Sequence, residues 1–539
     1  MNGLLMAAVT EMTNVDPSIR ATGHVRRPKH ALVARLHRRR GLATATAAFA
    51  LLAGCAVGPD FTRPEAPTSD RYTANPLPTK TAATVVAAGG TQRFRLGADI
   101  PAEWWAVFHS PALDALTRDA LKSSPNIAAA EAALRQAHEL RKAGEGAFWP
   151  LVQASFNASR NKTSATLAPV PASNALYYNL YTAQLSVSYV PDVFGGTRRT
   201  VEGLLAQEEA QRFELEAAYL TLTSGLVAAA IGEAGLRDQI AATTEIIRVQ
   251  RESLDILRNQ FALGQVARQD VAAQEAALAQ AEATLPPLQK QLAQQRDLIA
   301  VLAGRFPSDQ PSAKFELASL KLPEDLPLSL PSRLVEHRPD VRAAEETLHA
   351  ASAAIGVAIA NMLPQITLSA NSGSSVLSPL TIGSLFGAGT GFWTVAAGGT
   401  QTLFDGFTLW HKKKAAEAAF DQAAAQYKQT VLTAFQNVAD ALEALKSDAD
   451  ALAAAVRAEN AAKTSLDIAK RQLALGAINA LALLNAENTY QLALVNRVQA
   501  QAARFADTAA LFQALGGGWW NRTSEIAEGA SDRSSVEAR

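Results

Sequence analysis

The 539-residue sequence predicts a mixed fold, part α-helical and part transmembrane β, in an internally duplicated protomer. Three observations predict it. Residue patterns recur along the chain at a shift that stays between 210 and 214. Each copy holds segments in which apolar and small polar residues alternate with period two. Each copy then holds a long proline-free stretch, Gly196 to Gly264 and Gly406 to Gly476, enough for a helical rod of roughly 100 Å. The composition is 48% hydrophobic but only 6% aromatic, with alanine dominating, which favours long helices in close contact over a large globular core. Fifty basic and fifty acidic side chains cancel, so no global field recruits nucleic acid.

At the start, Arg35, Arg38, Arg39 and Arg40 precede the uncharged run Gly41 to Gly54. That run is too short to span a membrane as a helix and reads as a signal peptide over residues 1–54. It ends in Leu52-Ala53-Gly54-Cys55, which resembles the bacterial lipobox, whose cysteine becomes the lipidated mature N-terminus. The alternative is a buried free thiol. Cys55 is the sole cysteine, which rules out an internal disulfide and any multi-cysteine metal site. Pro59, Pro64, Pro67, Pro76 and Pro78 then forbid a helix, so residues 55–100 read as lipid anchor and extended tether.

The first repeat is placed at 101–305, an equatorial linker at 306–335, the second repeat at 336–518 and a flexible tail at 519–539. "SPNIAAAEAALRQA" from Ser124 answers "RPDVRAAEETLHAA" from Arg338, each a helix with proline near its start. Pro150 pairs with Pro364, and each ends its helix. Next, Val152, Ala154, Phe156 and Ala158 oppose Gln153, Ser155, Asn157 and Ser159. Tyr181, Ala183, Leu185, Val187 and Tyr189 likewise oppose Thr182, Gln184, Ser186 and Ser188. In the second copy Ile366, Leu368 and Ala370 face away from Gln365, Thr367, Ser369 and Asn371, and Trp393, Val395, Ala397 and Leu403 face away from Thr394, Thr400 and Thr402. Polar loops at 161–180 and 375–391 join each pair. The long helices follow, glycine turns at Gly264 and Gly476, and helices returning toward Gly304 and Gly516.

An apolar face and a small-polar face on strands of this length make a transmembrane barrel pattern, although a soluble sandwich alternates too. Basic clusters just after each strand pair fit interfacial anchors: Arg198 and Arg199 in one copy, Trp410, Lys412, Lys413 and Lys414 in the other. The other reading of those clusters is a solvated helix start. Four strands cannot close a barrel in hydrocarbon, where an open edge is prohibitive, so copies of the chain must assemble.

Taken in order, "LLAGCAVGPDFTRP", "PDVFGGTRR", "LPPLQKQLAQQRDLIAVLAGRFP", "EHRPDVRAAE", "MLPQITLSA" and "LFDG" resemble the TolC-type outer-membrane factor family. The branch resembled is the NodT-like lipoprotein group of resistance-nodulation-division efflux systems. The resemblance implies a homotrimer with a shared 12-stranded outer-membrane β-barrel, continued by a long periplasmic α-helical barrel. It implies a passive exit channel in a tripartite pump for drugs or small toxic solutes, with outer-membrane lipid, a periplasmic adaptor and an inner-membrane pump as partners. Alternatives are a type I secretion channel for polypeptides and a lipid-anchored periplasmic coiled-coil scaffold. It also implies that Leu263, Gly264, Leu475 and Gly476 form the adaptor-facing tips. Leu481, Asn485 and Asn488 fall on the pore constriction by position, or else pack the hairpin. Relatives carry aspartate where this chain has Asn485. Its "SYVPDVFGG" departs from the family pattern at Pro191, which should kink the strand end.

No catalytic constellation is visible: no H-E-x-x-H, G-x-S-x-G or Walker A sequence occurs, and "GAGTGF" at Gly387 precedes a strand rather than a helix. His337 lacks a paired histidine at helical spacing and reads as a turn residue. No enzyme, cofactor or metal site is expected.

Overall fold

The computed structural model describes residues 56–522, apart from 70, 87, 163, 165–176 and 378–381. The signal peptide, Cys55 and residues 523–539 lie outside the described residues. After β1 (Arg93–Leu96) come α1 (Pro111–Ser123) and α2 (Pro125–Glu145), each with proline in its first turn. Strands β2 (Leu151–Lys162) and β3 (Tyr177–Tyr189) follow, then a hairpin of α3 (Gly196–Ala262) and α4 (Arg268–Leu302). β4 (Asp325–Leu328) and α5 (Pro331–His337) lead to α6 (Pro339–Ala360), β5 (Gln365–Leu377) and β6 (Gly391–Thr400). A second hairpin, α7 (Thr408–Ala474) and α8 (Ala480–Ala514), closes the series. The long helices have 67 residues each and the returning helices 35 each.

β2, β3, β5 and β6 form one antiparallel sheet in that order. Its register lines up the alternating residues across all four strands. Val152, Val187, Ala370 and Val395 make one row, and Ala154, Leu185, Ser372 and Trp393 the next on the same face. The opposite face carries Gln153, Ser186, Asn371 and Thr394. The apolar face is bare: Trp393 is 77% exposed and Val395 72%. The strands run further than the sequence suggested, into the loops placed at 161–180 and 375–391. At the other end β6 stops at Thr400, so Thr402 and Leu403 lie beyond it.

The main core sits around the middle of α3 and α7 and the C-terminal end of α8. Trp104, Phe108, Leu226, Ile231, Phe315, Leu326, Phe505 and Phe512 are buried there, with Trp104 stacked on Phe512 at 5.6 Å. Toward the tips only small clusters remain, such as Leu254, Leu257, Val271 and Ala480. Alanines allow the close approach that this needs: α7 buries Ala434, Ala441, Ala449, Ala453 and Ala462. Residues 306–335, expected as a linker, supply Phe315, Leu317 and Leu326 to the core, and β4 pairs in parallel with β1.

Two segments expected to be loose are docked. The chain from Ala56 to Ile100 is extended but clamped to the body rather than hanging as a tether. Val57 N donates to Phe194 O at 3.1 Å, Phe61 stacks on His349 at 4.4 Å and Arg63 pairs with Glu345 at 2.9 Å. Gly58 lies so close to Gly356 that a Cβ would stand 2.5 Å from its Cα, which explains glycine at both positions. Farther along, the fully buried Arg504 of α8 donates to Ala88 O (2.8 Å), Gly90 O (2.6 Å) and Thr81 Oγ1 (3.0 Å). The tail expected from 519 also begins docked. Trp519 Nε1 donates to His337 O at 2.6 Å, Trp520 Nε1 and Asn521 Nδ2 each to Asp99 at 2.9 Å, and Arg522 pairs with Glu216.

Arg504→Met should therefore release residues 81–90. Three acceptors lose a charged donor, at a cost on the order of 2–3 kcal/mol. New cleavage in that segment under limited proteolysis, with a lowered Tm, is the expected result. Arg504→Lys should restore little, because an ammonium cannot reproduce the guanidinium fork.

Candidate functional site

Strand ends and helix starts meet through two aspartates. Asp192 accepts from Thr197 N and Arg198 N, each at 2.9 Å, at the start of α3. Asp405 accepts from Leu409 N at 2.8 Å at the start of α7. A carboxylate at a helix N-terminus satisfies free N–H groups and suits the dipole, which offsets the basic residues placed there. β3 has already ended at Tyr189, and the turn through Pro191 aims Asp192 at the helix.

The expected interface anchors divide. Lys413 and Lys414 lie over Trp410 at 5.7 and 5.3 Å and share Glu417, while Lys412 is exposed. Arg198 is half-exposed and bonds Asp192 at 3.2 Å. Arg199 is buried instead of snorkelling. It pairs with Asp60 (2.6 Å) and Glu202 (2.8 Å) and donates to Val57 O (3.2 Å), so its task is to hold the N-terminal segment.

Both tips have the same construction. Leu263 N bonds Asn259 O and Gln265 N bonds Gln260 O; Leu475 N bonds Arg471 O and Ala477 N bonds Gln472 O. Gly264 and Gly476 take φ of +75° and +69°, the left-handed region that glycine adopts without strain. This leaves the preceding leucines on the surface, Leu263 at 73% and Leu475 at 83% exposed. In the second tip Asn479 caps α8 by accepting from Ala482 N at 3.0 Å.

Beyond that cap, Leu481, Asn485 and Asn488 form an exposed stripe on α8 rather than packing the hairpin within the protomer. The opposite face buries Leu483, Ala486 and Glu487. Glu487 was not singled out by the sequence, and its surroundings are specific. It accepts from Ser253 of α3 at 2.5 Å and from Gln274 of α4 at 3.3 Å. Burial pushes its carboxyl up, against those two hydrogen bonds and Lys470. The acid therefore knits the two hairpins together, and the exposed stripe beside it carries no charge. A second unforeseen pair, Asp448 of α7 and Asp507 of α8, lies by Arg504. Burial pushes Asp448 up to about 7, helped by a hydrogen bond and repulsion from Asp507 and opposed by Arg504. His337, read as a turn residue, ends α5, and its ring stacks on Trp520 at 3.7 Å.

A sheet with one apolar and one polar face and two open edges, joined to long helical rods, is the build of an outer-membrane channel protein. The chain belongs to the outer membrane efflux protein family, whose sequence pattern matches residues 116–305 and 330–517. It is 29% identical over 501 residues to the toluene efflux pump outer membrane protein TtgC of Pseudomonas putida, covering 91% of this chain and 98% of that one. The outer-membrane channel OprN superposes with a TM-score of 0.76 at 26% identity, over 86% of this chain and 100% of that one. The open-state MtrE outer membrane channel of Neisseria gonorrhoeae gives 0.73 at 26%, over 87% and 100%. The protein is accordingly the outer-membrane exit channel of an efflux system, with its helical body in the periplasm.

The acid pair predicts a pH dependence. Asp448 holds its proton more tightly when folded than at the ordinary value of 3.8, so stability falls as pH rises from about 4 to about 7 and then levels. Asp448→Asn should lose this decline. In thermal unfolding from pH 4.5 to 8, its Tm relative to wild type should climb through that window; a constant difference would mean that the pair does not share a proton.

Proposed function

We propose that three identical, internally duplicated chains assemble into one passive duct. The observation that carries this is the sheet, whose rows sort into one apolar and one polar face while its outer strands β2 and β6 keep free edges. Three copies joined edge to edge would give twelve strands, closed, apolar outside and polar within. Trp410 with its lysines, and Arg198, would stand at the periplasmic interface, while lipid on Cys55 would hold the start of the mature chain to the same leaflet.

The helical rods would continue the barrel as a tube. Exposed Leu263 and Leu475 on the Gly264 and Gly476 turns are suited to an adaptor protein, which would join the duct to an inner-membrane resistance-nodulation-division pump. Cargo is taken to be drugs or small toxic solutes, in keeping with TtgC, which is named for toluene. The stripe of Leu481, Asn485 and Asn488 would narrow the tube, closed by leucine packing and amide hydrogen bonds. Asparagine neither binds cations as an aspartate ring would nor repels its copies at neutral pH.

Two outcomes are expected. Leu185→Arg, on the apolar face, should lose assembly of heat-modifiable oligomers, since arginine near the bilayer midplane costs roughly 2–4 kcal/mol, while Ser186→Arg should assemble. Equal assembly would mean that the sheet does not face lipid in this sense. Leu481→Ala with Asn485→Ala should raise conductance in planar bilayers and admit large antibiotics to cells. Unchanged conductance would put the constriction elsewhere along the tube.

A further inference from the structure

The four strands contain only two charged side chains, Arg160 and Lys162, and no acid. Both share the parity of Val152, Ala154, Phe156 and Ala158, so both stand on the apolar face. The register places them in order along that face. Its rows run from Tyr189, Leu368 and Ala397 to Ala158, Tyr181 and Val376, and the next two are Arg160 with Asn179 and Lys162 with Tyr177. Lys162 Nζ lies 5.3 Å from the centre of the Tyr177 ring, and both cations are exposed. Neither forms an ion pair among the described residues. The strands lead into α3 and α7 at their other end, so this rim is the one farthest from the periplasmic body.

The sequence also excludes a carboxylate partner from a neighbouring copy's strands or connecting loops. No aspartate or glutamate occurs between Leu151 and Val190, or between Met362 and Phe404, which together span the strands and the segments joining them. Two cations at the top of an apolar surface, about 7 Å apart along one strand, thus have no carboxylate partner in the sheet or its loops and stand open to an anion from outside the protein. Snorkelling carries such side chains to the headgroup level, where a phosphate accepts guanidinium hydrogen bonds in bidentate fashion.

We propose that Arg160 and Lys162 bind the phosphorylated glycolipid of the outer leaflet, clasping its headgroup phosphates while its acyl chains lie on Phe156, Ala158 and Tyr181. This rests on the barrel reading given under Proposed function.

The test uses the assembled full-length protein in detergent, first checked for heat-modifiable oligomers and for flotation with outer-membrane vesicles. Diphosphorylated lipid A, dephosphorylated lipid A and inorganic phosphate are the probes, with bound lipid counted by native mass spectrometry. Wild type should retain the diphosphorylated form, and R160Q/K162Q should bind it about ten-fold or more weakly, as two lost cations at a membrane surface predict. The charge-conserving R160K/K162R should retain it. Unchanged retention by R160Q/K162Q, equal binding of the dephosphorylated lipid, or full competition by inorganic phosphate at equal concentration would overturn the proposal while the barrel reading stands. If wild type fails to assemble and float, the barrel reading falls and this inference with it.

Discussion

The structure depends on one constraint: a backbone N–H or C=O facing hydrocarbon must be paired. A four-stranded sheet leaves two edges unpaired and exposes a face bearing Trp393, Val395, Leu185 and Phe156, which is why the proposed assembly is needed. Where the strands give way to the long helices, Asp192 and Asp405 cap both helices as they start.

Below the sheet the balance of forces changes. The helical hairpins have little aromatic material outside the central core, and their contact depends on small side chains and a few buried polar links. Glu487, Ser253 and Gln274 join three helices near the tips, where apolar clusters are small. A buried carboxylate is a weak source of stability but a demanding one, since it tolerates few alternative registers of the helices around it. Rigidity is thus concentrated at the core of Trp104 and Phe512, and the tips are held by fewer contacts.

Much of this was legible in the sequence because it is periodic. Period-two alternation marked the strands, the proline-free stretches marked the helices, and the glycines marked both tips. Features that rest on distant partners were not legible. Arg504 reads as one more charge in a helix, and its partners Ala88 and Gly90 contribute only carbonyl oxygens, which no side-chain pattern reveals. Arg199 reads as a membrane anchor in the sequence because, with Arg198, it lies just after a strand pair; the docked residues Val57 to Asp60 give it another purpose. Trp519 to Arg522 passed for a tail because the partners that hold it, His337, Asp99 and Glu216, lie far back along the chain.

The clamping of the N-terminal segment by the last helix bears on how the chain matures. Gln92 bonds Thr508, Asp99 receives Trp520, and Arg504 holds the carbonyls near residue 90, with more than four hundred residues between partners. The central core therefore cannot close while the chain is still being exported, because its final element arrives last. Contacts of such high sequence separation make folding slow. Until α8 is in place, the core around Trp104 and the segment near residue 90 lack the side chains that close them. Loss of α8 by truncation would therefore unfasten the segment around residue 90 that Arg504 holds.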